Sequence, residues 1–360
     1  MIASLLWLCS YRSKRREMIM TYRRHALLRV SVVLVAAMLV PALASATDNS
    51  TAPTETSSAS EAVDQSRYEA DLRFIAKPRP PGSRHWQAVQ DMCVSRLRSY
   101  GYDVSIPTYA HNDTSKNVIG IKRGTKNPNT TVVLSAHYDS TDRSCPGADD
   151  NATGTAALLE SARVLAKQKY DRTLVLACWD EEERGLIGSQ AYARSVADDK
   201  ATNIAMMYGY EMIGFTAKKP GSQKIPFGFG LVFPDQVEAL KKRGNSGDFI
   251  TIVYDNNLLP MRAADAFVDA AAKLDLPVVA LPVFDTLKNT WAMKQLRRSD
   301  HAAFWSYNLP GMMITDSSNF RNPNYHCLKG TNDSVETLDH AFSTKVIKAT
   351  IASVEVMLRD

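Results

Sequence analysis

Thr131-Val132-Val133-Leu134-Ser135-Ala136-His137-Tyr138-Asp139, followed after a short gap by Gly147-Ala148-Asp149-Asp150-Asn151, decides how the chain is read. Residues 131–136 are β-branched and apolar without alternation, the pattern of a strand covered on both faces. His137 and Asp139 stand at its carboxyl end, where open α/β sheets place their ligand sites. Two adjacent acids between Gly and Asn form a loop. Taken alone, that pair reads as a polar turn in which an acid or Asn151 caps the next helix.

Working outward, helical spacing covers 61–76 and is stopped by Pro78, Pro80 and Pro81. A second helix covers 86–100, with Gly101 as its stop. Strands are expected at 103–108, 117–122, 131–136, 173–179, 204–210, 249–254, 278–282 and 311–315. Helices are expected at 153–168, 188–196, 262–274 and 300–307, with a closing helix at 335–358. Residues 215–247, rich in Gly, Pro and Lys, read as a surface excursion. The alternation predicts a single-domain α/β fold: a mostly parallel mixed sheet with helices on both faces.

The net charge of +5 belongs to the start of the chain. Residues 1–46 hold seven Lys/Arg against Glu17, leaving −1 for residues 47–360 and no compositional case for nucleic-acid binding. A basic Tyr22-Arg23-Arg24-His25, an apolar run from Val30 to Val40, Pro41 and the small Ala44-Ser45-Ala46 read as a cleavable export signal over 1–46. The apolar run is short for a bilayer span, so no stable membrane span is expected after cleavage. Met18 and Met20 are alternative starts. Residues 47–65 read as a flexible linker and 66–360 as the folded domain, periplasmic or secreted. Cys93 and Cys178 fall in helix and strand patterns and read as buried free thiols.

Five candidate metal ligands follow successive strands: His137, Asp149, Glu183, Glu211 and His326. Imidazole and carboxylate donors suit Zn²⁺, and no CxxC spacing points to a thiolate site. Each also has a plainer reading. Asp180-Glu181-Glu182-Glu183 can be a solvated strand end, Glu211 a surface residue, and His326 an exposed loop histidine. Ser299-Asp300-His301 can be a helix cap with a first-turn histidine, or a pair supporting a site.

The order His137-x-Asp139, Gly147-Ala148-Asp149-Asp150-Asn151-x-x-Gly154, Glu182-Glu183-x-Gly185-Leu186-x-Gly188-Ser189, Glu211-Met212-x-Gly214, Ser299-Asp300-His301 and Asn322-Pro323-x-x-His326 resembles the M28 family of co-catalytic zinc aminopeptidases over residues 66–358. The resemblance implies a zinc exopeptidase architecture of the phosphorylase/hydrolase-like kind, with two Zn²⁺ per chain. His137 and Glu211 would hold one ion, Glu183 and His326 the other, and Asp149 would bridge them. Asp139 would orient His137 and Glu182 would be the general base. A cis peptide is implied at Asp149–Asp150. Asp150, Asp300 and His301 would support the site or line the substrate pocket. If the segments carrying Asp149 and His326 converge, a Cys145–Cys327 disulfide becomes open to them.

The implied activity is hydrolysis of N-terminal peptide bonds in a peptide or small aminoacyl substrate. A glutaminyl-cyclase-like transferase, a carboxypeptidase using Arg297 and Arg298, or a non-catalytic relative are the alternatives. Three features depart from the family's pattern. Glu211 stands where Asp is frequent, no Tyr precedes Ser299, and the link from His326 to Asp333 is long.

Overall fold

The computed structural model describes residues 58–109, 116–141 and 144–359. The export signal read over 1–46 and the first part of the linker lie outside the described residues. The described residues belong to one compact unit. None of its helices is long and apolar enough to cross a membrane.

Nine α-helices and eight strands are found among the described residues. They run α1 (Gln65–Ile75), α2 (Arg84–Ser99), β1 (Asp103–Ser105), β2 (Val118–Lys122), β3 (Asn127–His137), α3 (Gly154–Leu165), β4 (Arg172–Trp179), α4 (Ile187–Asp198) and β5 (Asn203–Tyr210). The chain continues through α5 (Phe229–Val232), α6 (Pro234–Lys242), β6 (Ile250–Asp255), α7 (Leu258–Lys273), β7 (Val278–Val283), α8 (His301–Ser306), β8 (Gly311–Thr315) and α9 (His340–Leu358).

The strands form one sheet in the order β1-β2-β4-β3-β5-β8-β6-β7. The four central strands, β4, β3, β5 and β8, are mutually parallel. β2 pairs antiparallel with β4, and β6 antiparallel with β8. Alternation along the strands sends side chains to two layers. Val132, Leu134, Leu174, Leu176, Met206 and Tyr208 pack in one core with α1, α2, α3, α7 and α9. Val133, Val175, Ala177, Trp179 and Met207 pack in the other, with Ala193 of α4 and Ala303 and Phe304 of α8. Every residue of β4 is buried, as its unbroken apolar run requires. Because β4, β3, β5 and β8 run the same way, their carboxyl ends share one edge of the sheet.

Three expectations are corrected. Residues 58–65 are not a free linker. Glu355 on α9 is buried and accepts from Ser58 Oγ (3.0 Å) and Ala59 N (3.1 Å), and Asp64 caps α1 through Ser66 N (2.9 Å). A buried carboxylate needs donors, and this polar segment supplies them. Residues 215–247 are no mere excursion: Phe233, Val237 and Leu240 are buried against the sheet. The closing helix does not start at 335. A short 3-10 turn, Val335–Thr337, ends before Asp339, which caps α9 through Phe342 N (2.9 Å).

Asp339 also accepts from Thr216 Oγ1 (3.1 Å), tying α9 to the segment that leaves β5. Asp339→Ala is expected to lower stability by roughly 0.5–2 kcal/mol. The urea unfolding midpoint measures this, and an unchanged midpoint contradicts the cap.

Candidate metal centre

The strand ends deliver the site. β3 ends on His137, which is fully buried. The acidic run after β4 is sorted residue by residue. Asp180 turns inward and accepts from Trp86 Nε1 (2.7 Å) and Lys116 N (2.8 Å). Glu181 pairs with Arg184 (2.8 Å). Glu182 and Glu183 face the cleft. Their backbone N–H groups donate to Asp139 (3.1 and 3.3 Å), whose carboxylate also lies 3.4 Å from His137 Nδ1. One carboxylate therefore sets both the imidazole and the two glutamates. Glu211 follows β5, and Ser299 Oγ donates to its Oε2 (2.9 Å).

The loop after β3 turns Asp150 into the centre, not Asp149. Asp150 Oδ1 lies 3.3 Å from His137 Nε2, and Oδ2 lies 3.0 Å from His326 Nε2. Glu211 Oε2 is 3.4 Å from His137 Nε2, and Glu183 Oε2 is 3.4 Å from His326 Nε2. Two donor sets result, His137/Asp150/Glu211 and Asp150/Glu183/His326, with the atoms of each set within 4.8 Å of one another.

Asp149 is buried and turned the other way. It accepts from Gly214 N (2.9 Å) and Asn322 Nδ2 (2.7 Å), and both burial and Asp316 push its carboxyl well above the usual range. The place between the two imidazoles, expected for Asp149, is taken by Asp150, and the cis peptide, expected at Asp149–Asp150, lies at Asp150–Asn151. Asp150 leaves helical backbone angles (φ −103°, ψ 92°), and its side chain and that of Asp149 take different partners. Only partners distant in sequence, Gly214 and Asn322, say which one faces inward.

Three residues hold this loop in place. Asp333 accepts from the backbone N–H of Asp149 (3.0 Å) and of Asp150 (3.1 Å). Asn151 Oδ1 accepts from Gly154 N (3.1 Å). A Cβ at Gly154 would collide with that amide, and Gly147 is left-handed (φ 56°), so both positions need glycine. Arg79, fully buried, donates to Tyr138 O (2.8 Å), Pro146 O (2.7 Å) and Gly147 O (2.9 Å). It ties the end of β3 to the entrance of the loop. Sequence reading passed over Arg79; its one signal is a charged residue enclosed by prolines in Pro78-Arg79-Pro80-Pro81.

The donors fit a pair of divalent cations. The buried His137 Nδ1 and Nε2, Asp150 Oδ1, Glu183 Oε1 and His326 Nε2 have no hydrogen-bond partner, although imidazoles and carboxylates face each other at 3.0–3.4 Å. Buried polar atoms seldom go unpaired. Atoms this close that fail to bond to one another converge on positions between them. The charges ask for cations as well. Burial disfavours the imidazolium of His326, yet Asp150 and Glu183 push it up to about 10. Burial and the nearby Asp150 push Glu183 up to about 7. Nitrogen and carboxylate oxygen donors of this kind suit zinc.

Of the remaining expected residues, Asp300 is buried beside Ser189 without donating to either set, and burial pushes it up to about 7. His301 turns away: its Nε2 meets Leu296 O (2.8 Å), its ring stands on Trp305, and burial holds it neutral, down to about 3. Cys145 and Cys327 form a disulfide, while Cys93 and Cys178 are buried and free.

Two hollows meet at the centre. One is the metal cleft, bordered by Asp150, Glu182, Glu183 and Glu211. The other is an apolar trough, open to solvent, between the sheet and α6. Its walls include Phe229, Phe233, Val237, Leu240, Val253 and Leu281. Glu211, Arg298 and Tyr325 border both.

Residues 117–247 match the model of peptidase family M28. The chain is 30% identical over 230 residues to YfbL, an uncharacterized protein of Escherichia coli K12, covering 61% of this chain and 65% of that one. It is 26% identical over 299 residues to a probable zinc metalloprotease of Pyrenophora teres f. teres, covering 75% of this chain and 60% of the relative. The chain thus spans less than two thirds of the length of these relatives. Among solved structures, an aminopeptidase from Aneurinibacillus sp. strain AM-1 superposes with a TM-score of 0.60 at 17% identity, over 83% of this chain and 95% of that one, and so shares its fold. The match to the peptidase family M28 model spans the strand ends and loops that carry His137, Asp150, Glu182, Glu183 and Glu211.

Proposed function

We propose that this protein is an exported dinuclear-zinc aminopeptidase that hydrolyses the N-terminal peptide bond of substrates beginning with a large apolar residue. The observation that carries this reading is the pair of donor sets sharing Asp150, one oxygen to each. His137 and Glu211 would hold one zinc, and Glu183 and His326 the other, with Asp150 between them. When bound, the ions lower the pKa of water toward neutrality and polarise the scissile carbonyl.

The chain's own residues supply the rest. Glu182 borders the cleft beside the donor sets without belonging to either. Burial, with Glu211, Glu183 and Asp300 nearby, pushes its carboxyl up, which suits a group that takes a proton from water and passes it to the leaving amine. Tyr325 Oη accepts from Arg298 Nη2 (2.8 Å), leaving the tyrosine's own proton free for the carbonyl oxygen. Burial raises the Tyr325 phenol, so it stays a donor. This fills the oxyanion role for which no residue stands before Ser299. The apolar trough begins at Glu211 and Tyr325, where an N-terminal side chain would enter it.

The alternatives are weaker on these residues. Arg297 is engaged by Lys288 O, Asn289 Oδ1, Ala302 O and Ser306 Oγ, which takes it out of a carboxylate clamp. Arg298 already holds Asn319 and Tyr325. A one-metal cyclase has no need of two complete donor sets, and a non-catalytic relative has no need of Glu182. Export is supported by the basic and apolar leader of the sequence and by the Cys145–Cys327 disulfide, a bond of oxidising compartments.

The zinc-reconstituted protein is expected to hold two zincs per chain and to cleave leucyl- and phenylalanyl-arylamides roughly 10–100-fold better than glycyl-arylamide, from burial of one apolar side chain. Elemental analysis and a chelator-controlled substrate panel test this. Less than one zinc per chain with no chelator-sensitive turnover refutes the hydrolase reading. Glu182→Gln is expected to keep both ions while kcat falls about 10²–10⁴-fold; full activity removes Glu182 as the base. Asp150→Asn is expected to weaken zinc binding beyond the roughly 10–100-fold typical of a supporting residue, with Asp149→Asn inside that range. Zinc titration against a competing chelator orders the two, and the reverse order restores Asp149 as the bridge.

A further inference from the structure

His326 opens an exposed segment between two held residues, Tyr325 and Asp333. Leu328, Lys329 and Gly330 are exposed, and the segment's hydrogen bonds are internal: Cys327 N to Asn324 O (2.8 Å), Thr331 N to Leu328 O (3.3 Å) and Asp333 N to Cys327 Sγ (3.4 Å). His326, Cys327 and Lys329 are all left-handed, with φ of 56°, 52° and 58°. Non-glycine residues persist in that region only where surrounding structure imposes it. Among the described residues, the ion pairs and the covalent bond that tie 326–332 to distant parts of the chain are those of the His326 ring and the Cys327 sulfur, while the flanking Tyr325 is held by Arg298 and stacks on the His326 ring, and Asp333 holds the loop of Asp150.

The sulfur's partner sits on firm ground. Cys145 is buried, and the next two residues, Pro146 and Gly147, are held by the Arg79 guanidinium. A continuous line therefore runs from Arg79 through Pro146 and Cys145 to Cys327, and ends at the neighbouring His326. His137 and Glu211 have no such dependence. They leave β3 and β5 directly, and are set by Asp139 and Ser299.

We infer that the Cys145–Cys327 disulfide is the positioning device of the Glu183/His326 half of the metal centre, so that the second ion is held only in the oxidised protein. This rests on the dinuclear reading. Reduction by a dithiol adds two electrons and two protons across the S–S bond. It leaves thiols on Cys145 and Cys327 and closes the reductant into its own disulfide. The 326–332 segment then leaves its left-handed path and carries His326 away from Asp150 and Glu183. The first donor set stays intact, and with it a protein that binds one zinc and lacks the paired centre.

The test compares zinc binding in the oxidised wild type, the dithiol-reduced wild type and Cys145→Ser/Cys327→Ser, with His326→Ala as the one-ion reference. The serine variant also removes thiols that could themselves take zinc. Two binding steps are expected for the oxidised protein. The reduced protein and the serine variant should follow His326→Ala, with the tighter step unchanged and the weaker one reduced at least about tenfold.

Two ions bound with unaltered affinity after reduction or in the serine variant overturn the inference. So does loss of both steps in a variant that still melts cooperatively. If the serine variant does not melt cooperatively, reduction of the folded wild type decides alone. Fewer than two ions on the oxidised protein would instead remove the dinuclear reading, whereas two ions in every state remove only the tether.

Discussion

Asp150 offers one carboxylate oxygen to His137 and the other to His326, and the remainder of the site is arranged around that division. Both imidazoles are further faced by a second carboxylate, Glu211 in one case and Glu183 in the other. Such a concentration of buried acids is unfavourable unless positive charge enters. Histidines pushed toward their charged form and donor atoms without hydrogen bonds are both expressions of that demand.

The support around Asp150 consists of one carboxylate, two amides, two glycines and one buried cation. Asp333 fastens the backbone of the loop, Asn151 and Asn322 fasten its side chains, and Gly147 and Gly154 leave room for the turn. Arg79 joins that loop to the carboxyl end of β3 from a position fully shielded from water. A guanidinium is suited to this because its planar fork meets several carbonyls at once. Its charge also lies close to Asp139, Asp150, Asp333 and Glu183, all of which keep it ionised against burial.

The sheet converts these local arrangements into a cleft. β4, β3, β5 and β8 lie side by side and parallel, so residues far apart in the chain leave the sheet along one edge. The antiparallel pairing of β6 with β8 extends the sheet sideways past β8. α5 and α6 then cover the extension and leave the apolar trough beside the donor sets. The donor sets and the trough thus come from different parts of the sheet and meet at Glu211 and Tyr325.

The sequence by itself determined the architecture and most of the centre. Unbroken apolar runs such as 173–179 specify strands covered on both faces, and acids or histidines directly after such runs are placed at the carboxyl edge. His137, Glu183, Glu211 and His326 are brought together as their positions imply. Between Asp149 and Asp150 the sequence offered no basis for choice, because either acid of a loop can face inward. Gly214 and Asn322, distant in sequence, claim Asp149 and leave Asp150 to the centre. The same limit hid Arg79 and Tyr325, whose roles consist of contacts with backbone carbonyls and side chains across the fold. It also hid the trough behind residues 215–247, since a wall is defined by the space it encloses and not by its own composition. Local patterning is a property of the chain, whereas the choice between two adjacent carboxylates depends on which hydrogen-bond donors the completed fold brings to each.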